Sequence, residues 1–387
     1  MKKLSHRYKK WLLFRSGFRK NGPSRRANLK YCESVIAWSS DQNEKLISRR
    51  PPTFPPTILC FEKNPEATID FFAEWRRKNA IYWRGGRKHW VKRSKHKRPS
   101  IEGYIDYSKI EEISTAASVV MAAEYDRARR LMGEVPPAIN LHKWSADAFQ
   151  KLFAMGFFEI VGISADASDR FSQKGDVRTM RIATGRDASE LEAVCGMILE
   201  LSKFIDDSGP LPRDTYVALN TALSEAISNV TRWAYPDDIA LPYKHISSWW
   251  ITATANRDDR TLTVVVFDQG ATVPVTFPRK PAGIMIRDKI LRMFSGPRHH
   301  FADDGTYIAA AMKPGATSTD HSWHGKGLPQ MVDLIKLCRG GSVSILSRGG
   351  ECLVNHDGFQ SNQSRQSSVG GTLITWKLVL PKETANA

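Results

Sequence analysis

Glu225 and Asn229 lie four residues apart in a segment whose pattern predicts a helix from Asp214 through Trp233. Residues at this spacing share one face of a helix, so both side chains can reach one pocket. A carboxylate can orient and deprotonate water near a terminal phosphate, and an amide oxygen suits magnesium, which prefers oxygen ligands. The pair fits a nucleotide-hydrolysing site, but a surface Glu and Asn on an amphipathic helix would share this spacing.

A second candidate group is the carboxylate of Asp268, which directly follows the apolar segment Thr263–Phe267. A carboxylate at the end of a strand can accept a hydrogen bond from the exocyclic amine of adenine. Gly270, two residues later, would let the backbone approach the ring closely. An ordinary turn at a strand end would show the same residues.

Two glycine-containing segments follow further along the chain. The first is HGKGL at 324–328, at the start of a helix predicted for 327–337. Glycines there expose backbone N–H groups, the helix dipole favours an anion, and Lys326 could add a positive charge. The second, GGT at 370–372, enters the last predicted strand, Thr372–Leu380.

The order of these segments resembles the GHKL ATPase superfamily, which includes histidine kinases, gyrase, Hsp90 and MutL. The Glu/Asn helix comes first, then the strand with DxG, a long segment, the GxGL helix and the threonine of the last strand. The resemblance covers about 175–381. It implies a Bergerat-type α/β sandwich, a mixed sheet with helices on one face, and ATP with Mg²⁺ held under a lid.

The resemblance also implies a role for each residue. Glu225 would act as the general base, and Asn229 would ligate magnesium. Asp268 would bind adenine, assisted by Gly270 and the hydroxyl group of Thr372. The phosphates would be held at the start of the GxGL helix, by Gly325, Lys326, Gly327 and Leu328.

Two departures from the family pattern concern hydrolysis more than binding. The DxGxG motif lacks its second glycine, because the segment 268–272 reads DQGAT. The position four residues after Asn229, often His, Lys or Arg in kinases of this family, is Trp233, although Arg232 precedes it. The resemblance therefore implies ATP binding more strongly than ATP turnover.

Residues 101–165 combine short strands and helices, as expected for a small α/β domain. Strands are predicted at Tyr104–Tyr107, Pro136–Leu141 and 157–160, and helices at Ile110–Met132 and from Ser145 to Met155. Their order and the ending GFFEIVG resemble a STAS domain, the fold of anti-sigma-factor antagonists. Any small α/β spacer would give a similar pattern.

The rest of the chain separates these regions and adds a long loop. The polar residues 166–177 predict a linker between the STAS-like domain and the GHKL-like domain at 178–381. Residues 270–323 are rich in Gly, Pro, Ser, Thr and His, which predicts a long irregular segment with a helix near Ile284–Phe294. Loops of this length are often functional lids.

From the predicted strands and helices together, the predicted fold class is α+β.

Positive charge is concentrated in residues 1–100, predicted to be partly irregular apart from a helix near 66–82. This region has 26 of the 57 basic residues and 7 of the 40 acidic residues. Within it, the segment 83–100 alternates Lys, Arg and His with Trp83 and Trp90. Basic groups can neutralise phosphates and aromatic faces can stack on bases, so residues 1–100 predict a nucleic-acid partner. The alternative is a solvated basic linker.

The apolar runs are short, and none approaches the roughly 18–20 residues that span a bilayer. The first residues also lack the apolar stretch of a secretory signal. Five cysteines without paired spacing indicate reduced thiols. These features predict a cytoplasmic protein with no membrane partner.

Two functions remain open at this level. The first is an ATP-binding regulatory protein with ATPase activity or anti-sigma-type serine/threonine kinase activity on a protein partner. The second is a nucleotide-gated module that does not hydrolyse ATP and contacts nucleic acid or a protein through its basic amino-terminal region. The sequence leaves open whether the chain forms a homodimer.

Overall fold

The computed structural model describes residues 31–38, 43–84, 90–163, 175–205, 211–293, 299–313 and 327–380. Within these ranges the chain is an α+β protein with sheets of eight, five and two strands. Across the same ranges, no helix combines the length and the apolar character that crossing a bilayer requires.

The amino-terminal part spans residues 31–163. Its strands are β1 (Glu33–Trp38), β2 (Glu44–Ser48), β3 (Ile58–Leu59), β4 (Val91–Ser94), β5 (Lys97–Ile101), β6 (Glu112–Ile113) and β7 (Ala138–Ile139). Its helices are α1 (Pro65–Arg84), α2 (Thr115–Met132), α3 (Ala146–Ala154) and α4 (Phe157–Ile160). Five of the strands form a sheet in the order β4-β5-β2-β1-β7, in which β2 and β5 are parallel.

The first two strands were not expected, because residues 1–60 show no sustained periodicity. β1 and β2 nevertheless pair in antiparallel register from Glu33 opposite Ser48 to Ala37 opposite Glu44. Each strand buries only two residues, too few to produce a clear alternation in the sequence. The described part of the basic segment, 90–100, is likewise ordered, as an antiparallel hairpin of β4 and β5 whose register shifts between Lys92 and Ser94.

The helices of this part follow the predicted signals, although α2 begins at Thr115 and not at the predicted Ile110, because Glu112–Ile113 forms strand β6. The hydroxyl group of Ser114 caps α2 by accepting a hydrogen bond from the N–H of Ala117 (3.1 Å), and α2 ends at Gly133, which has a φ of 72°. Ser145 caps α3 as predicted, accepting from the N–H of Ala148. Helix α1 confirms the helix predicted for 66–82.

Two strands predicted within 101–165 are wrong. Phe157–Ile160 is the short helix α4, because Phe157 and Phe158 are both buried instead of alternating between core and solvent. Tyr104–Tyr107 forms only an isolated bridge, between Thr53 and Ile105. The remaining short strands pair with strands that precede residue 100, β6 with β3 and β7 with β1. In the described structure, 101–165 therefore has no sheet of its own.

The carboxy-terminal part contains the eight-stranded sheet. Its strands are β8 (Val177–Thr179), β9 (Ala183–Gly185), β10 (Trp249–Asn256), β11 (Thr261–Asp268), β12 (Gly340–Ser347), β13 (Gly350–Asn355), β14 (Gln360–Ser364) and β15 (Thr372–Val379). Its helices are α5 (Leu191–Ser202), α6 (Arg213–Asn229), α7 (Val273–Thr276), α8 (Pro281–Met293), α9 (Asp304–Ala311) and α10 (Gly327–Lys336). The strand order is β14-β13-β12-β15-β11-β10-β8, with β9 also paired to β10, and these pairs are antiparallel, so the described sheet is not the mixed sheet that was predicted.

Both faces of this sheet are covered by helices. Alternate residues of β10 and β11, such as Ile251 and Val264, pack under α5, α6 and α10. Their neighbours Trp250 and Val265 point to the opposite face and pack against the amino-terminal part, where α2 lies on the sheet. The helices of 178–381 therefore cover one face, and helices that precede residue 165 cover the other.

The segment predicted to be irregular, 270–323, is largely helical where it is described. Helix α8 agrees with the helix expected near 284–294, whereas α7 and α9 were not expected. Helix α9 is held by Asp304, whose carboxylate accepts hydrogen bonds from Arg348 Nε (2.8 Å) and from the N–H of Gly349 (3.0 Å). Tertiary packing on β13 and β14 thus stabilises a helix that local propensity does not reveal.

Candidate functional site

Three neighbouring strands of the eight-stranded sheet bring polar residues side by side at the ends of the strands. Asp268, the last residue of β11, lies opposite Thr372, the first residue of β15. Thr372 lies in turn opposite Ser347, the last residue of β12. The predicted partners Asp268 and Thr372 are therefore neighbours in one cross-strand row, and Ser347 extends this row.

The carboxylate of Asp268 is buried, with 6% of the residue exposed. It accepts hydrogen bonds from the backbone N–H groups of Gly270 (2.8 Å) and Thr372. Burial raises the pKa of Asp268 to about 7, although both backbone donors act in the opposite direction. A ligand group that donates a hydrogen bond to this carboxylate would favour its charged form.

The turn after Asp268 requires its glycines for close packing. A Cβ atom at Gly270 would overlap the carbonyl oxygen of Ala234, and one at Gly371 would overlap the carbonyl oxygen of Asp268. The N–H of Ala271 also donates to the Ala234 carbonyl (2.5 Å). Since Ala234 ends a short π-helical turn that continues α6, the helix of Glu225 and Asn229 ends against the Asp268 turn.

Tyr235 holds the same turn through its hydroxyl group, and sequence reasoning missed it. The hydroxyl donates to the carbonyl of Ser248 (2.7 Å) and accepts from the N–H of Gln269 (3.1 Å). The ring stacks on His245 at a centroid distance of 4.7 Å. Its place just before Pro236 indicated only a helix end, so no local signal pointed to this role.

Two more residues of the turn carry buried polar atoms that have no hydrogen-bond partner among the described residues. They are the side-chain amide of Gln269 and the hydroxyl group of Thr272, in residues that are 5% and 7% exposed. Thr272 stands where the family motif has its second glycine. Because buried polar groups are normally hydrogen-bonded, the turn has capacity to bind a polar ligand.

The hydroxyl group of Thr372 is held by Ser347, another residue that the sequence did not indicate. The two hydroxyl oxygens lie 2.8 Å apart, and Ser347 Oγ also accepts from the N–H of Val273 (3.0 Å). With that acceptor role filled, Ser347 can donate its own proton to Thr372. Ser347 therefore connects the predicted adenine-binding threonine to the start of α7.

Arg76 on α1 holds the loop that leads into Thr372. Its guanidinium donates to the carbonyl oxygens of Ser368 (2.6 Å) and Val369 and forms a salt bridge with Glu124 (3.1 Å). The side chains of Arg76 and Glu124 are each 1% exposed. Gly370 has a φ of 82°, and a Cβ there would overlap this guanidinium. The contact joins residues 292 positions apart, so only the folded chain reveals it.

Glu225 and Asn229 lie on α6 as predicted, and both are partly buried. The apolar residues of α6, including Leu223 and Ile227, face the core, and α6 packs against α10. Gly327 begins α10, and Leu328 packs partly buried against the core. The predicted phosphate ligands Gly325 and Lys326 lie outside the described residues.

A cation lies close to Trp233, the residue that replaces the basic residue expected four positions after Asn229. Lys280 Nζ lies 4.3 Å from the centroid of the Trp233 ring, a cation–π contact. Partial burial lowers the pKa of Lys280. Trp233 is 45% exposed. The fold thus supplies a positive charge near this position from another segment of the chain.

Comparison with known proteins adds no assignment. No known protein-family model matches this sequence, and no curated protein is recognisably related to it. The GHKL-like and STAS-like resemblances therefore remain predictions from the motifs.

Proposed function

We propose that this protein binds ATP with Mg²⁺ at the ends of β11, β12 and β15 in the eight-stranded sheet, beside the end of helix α6. The observation that carries this proposal is the buried carboxylate of Asp268, which two backbone N–H groups hold in a turn whose buried polar atoms have no partner among the described residues. Buried titratable groups with shifted pKa values concentrate at functional sites.

In this proposal the adenine amine donates a hydrogen bond to Asp268, which lies in a buried setting where such a bond is strong. The Thr372 hydroxyl, oriented by Ser347, provides a second polar contact. Gln269 and Thr272 fit a polar ligand because their buried groups have no partner within the described part of the chain. The close packing at Gly270 and Gly371 keeps side chains out of this turn.

The phosphates would lie toward the start of α10, with Gly325, Lys326, Gly327 and Leu328 as their ligands. Asn229 would ligate Mg²⁺, which neutralises phosphate charge when it is bound. Glu225, one helical turn earlier, would orient a water molecule. Lys280 adds a cation that the sequence motif lacks.

Two outcomes of ATP binding are compatible with these residues. One is ATP hydrolysis or transfer of phosphate to a serine or threonine of a protein partner, as in anti-sigma-type kinases. The other is a nucleotide-gated module without turnover, in which ATP changes contacts of the amino-terminal part with nucleic acid or a protein. The buried contact of Arg76 with the loop before Thr372 favours the second outcome, because it joins that part directly to the site.

The test is calorimetry of Mg²⁺-ATP binding to the wild-type chain and to Asp268→Asn. We expect the substitution to weaken binding at least about tenfold, since a hydrogen bond to a charged group contributes about 1.5–3 kcal/mol. Asp258→Asn is the matched control, because Asp258 is exposed at the opposite end of β11. Equal affinity in both variants would refute the proposed adenine contact.

A turnover assay on the same samples separates the two outcomes. Glu225→Ala abolishes turnover and keeps ATP binding if the protein is an ATPase or kinase. A wild-type chain that binds ATP without releasing phosphate, with or without added protein substrates, would instead support the nucleotide-gated module.

A further inference from the structure

A cavity of about 610 Å³ lies in the amino-terminal part, away from the Asp268 turn. Helix α1, the β4–β5 hairpin and the segment 136–139 form its walls. Five aromatic residues of the described chain line it: Trp75, Trp90, Tyr104, Tyr107 and Tyr125. This volume lies within the range of small-ligand sites, roughly 300–1,000 Å³.

The deep end of this aromatic cavity is rigid. Tyr107 and Tyr125 are almost fully buried, and their hydroxyl oxygens lie 3.0 Å apart. The ring of Trp75 packs against Tyr125 at a centroid distance of 5.2 Å. Consecutive prolines at 51–52 and 136–137 also line the cavity and restrict its backbone. These buried rings therefore hold the partly buried Trp75 in a fixed position.

The rim of the aromatic cavity is positively charged. Among the described residues, four basic ones line it, Arg50, Arg77, Lys78 and Lys92, and one carboxylate, Glu102, which forms a salt bridge with Lys92. The side chains of Arg77 and Lys78 are 74% and 48% exposed, and both pair with Glu74, which lies outside the lining. Such exposed pairs are weak and readily exchange their partners. The rim is thus suited to an anionic ligand.

The β4–β5 hairpin extends this charge beyond the rim. Its residues Lys95, Lys97 and Arg98 are exposed, and they continue from Lys92 and Trp90, which line the cavity. The hairpin therefore places basic residues next to an aromatic cavity. A single-stranded nucleic acid has bases that stack on aromatic rings and phosphates that pair with basic residues, so it fits this arrangement.

We propose that the aromatic cavity binds a base of single-stranded nucleic acid, with the neighbouring phosphates on the basic rim and the β4–β5 hairpin. Aromatic residues stack on any base, and basic residues neutralise the backbone, so little sequence specificity is expected. A single strand is required because the bases of a duplex are stacked on each other and do not reach such a cavity. This proposal does not depend on ATP binding at Asp268.

The test measures fluorescence anisotropy of a labelled 12-nucleotide single strand, as DNA and as RNA of the same sequence, titrated with the full chain. Trp75→Leu removes an aromatic ring from the cavity. We expect it to weaken binding about fivefold or more, because one base loses its stacking partner. Trp75→Phe keeps an aromatic ring and should retain most of the affinity, which guards against misfolding as the explanation.

The charge test compares Lys78→Glu with Lys203→Glu. Both lysines pair with a glutamate on their own helical segment, and their side chains are 48% and 47% exposed. Only Lys78 lines the cavity. We expect Lys78→Glu to weaken binding several-fold and to reduce its dependence on salt, whereas Lys203→Glu leaves both near wild type.

Three results would overturn the proposal: no binding at low salt, equal effects of the two lysine substitutions, or binding of a duplex as tightly as of a single strand. Binding of DNA and RNA alike, or of one in preference, supports the proposal and identifies the sugar that the rim accepts. Calorimetry with Mg²⁺-ATP on Lys78→Glu should give the wild-type affinity, so failure at one site is distinguishable from failure at the other.

Discussion

The Asp268 turn and the aromatic cavity place their charged groups in opposite environments. Asp268 is buried, and its carboxylate depends on two backbone donors. The cations of the aromatic cavity, such as Arg77 and Lys78, lie at its rim in solvent, while its buried part is aromatic. Burial makes each polar contact at the first site costly to lose, whereas the second relies on many weak charges around a rigid apolar floor.

Helix α1 belongs to both regions. Trp75 lines the aromatic cavity, and the next residue, Arg76, reaches the loop that leads to Thr372. Arg77, one position further, is exposed again. Trp75 and Arg77 therefore belong to the aromatic cavity, whereas Arg76 between them contacts the loop before Thr372, and substitutions along these three residues compare the two environments directly.

The largest expected effect is that of Arg76→Ala on stability. The substitution removes the Arg76 guanidinium that donates to the carbonyls of Ser368 and Val369. It also removes the salt bridge between Arg76 and the buried carboxylate of Glu124. We expect a loss of about 3–5 kcal/mol in the free energy of unfolding, measured by urea denaturation. Arg77→Ala is the adjacent control and should change it by less than about 1 kcal/mol. Equal losses would show that the buried network contributes little.

The second prediction concerns the pH dependence of folding at Asp268. Its pKa is about 7 in the folded chain and near 3.8 when unperturbed, so the folded state keeps a proton that the unfolded state releases. This contribution to stability is complete below about pH 4 and declines by up to roughly 4 kcal/mol as the pH rises to 7. Asp268→Asn should remove this decline in denaturation series across that range, and Asp258→Asn should retain it.

The same titration should affect ATP binding in the opposite direction. Since the adenine amine donates a hydrogen bond, it prefers the ionised carboxylate of Asp268. We expect the affinity for Mg²⁺-ATP to rise as the pH increases from 6 to 8. Because binding releases at most one proton from Asp268, the affinity can rise by at most about tenfold per pH unit. A pH-independent affinity, measured by calorimetry, would argue against a contact with this carboxylate.

A smaller loss is expected for Ser347→Ala. Without the Ser347 hydroxyl group, the partly buried N–H of Val273 loses an acceptor, and the buried hydroxyl group of Thr372 loses its orienting partner. An unpaired buried group costs about 1–3 kcal/mol, so the midpoint temperature of thermal unfolding and the midpoint urea concentration should both fall. Ser342→Ala, on the same strand, is the control and should have little effect. A neutral Ser347→Ala would remove the argument that Thr372 is held in place.

The smallest expected effect is that of Lys280→Ala, which removes the cation above Trp233. A partly exposed cation–π contact contributes about 0.5–1 kcal/mol to stability. If the ammonium group also assists phosphate binding, the affinity for Mg²⁺-ATP should fall several-fold in calorimetry. Lys289→Ala, at an exposed position on α8, is the matched control. Unchanged ATP affinity would assign Lys280 to packing alone.

Much of the secondary structure followed from local patterns in the sequence. Ser145 was correctly identified as a helix cap, and the apolar segment before Asp268 as a strand, because caps and apolar alternation act within a few residues. The helix that carries Glu225 and Asn229 was also correct, apart from the π-helical turn at its end. The ATP-binding roles of these residues stay predictions.

The elements that sequence analysis missed are those that depend on distant contacts. Helix α9 exists where Asp304 meets Arg348, and β1 and β2 bury too little to show a period of their own. The two phenylalanines at 157–158 read as a strand, although their neighbours in space bury both of them in a helix. Local propensity is weak compared with the free energy of such packing.

The sequence by itself determined the chemical inventory of this protein: a carboxylate at a strand end, a Glu/Asn pair at helical spacing, and a basic amino-terminal region with interspersed tryptophans. Only the tertiary structure decided which of these groups meet. It placed Asp268 beside Thr372 and Ser347, joined Arg76 to the loop before Thr372, and enclosed Trp75 and Trp90 in one cavity. Strand register and helix packing set these contacts, because they depend on burial of apolar surface across the whole chain rather than on nearby residues.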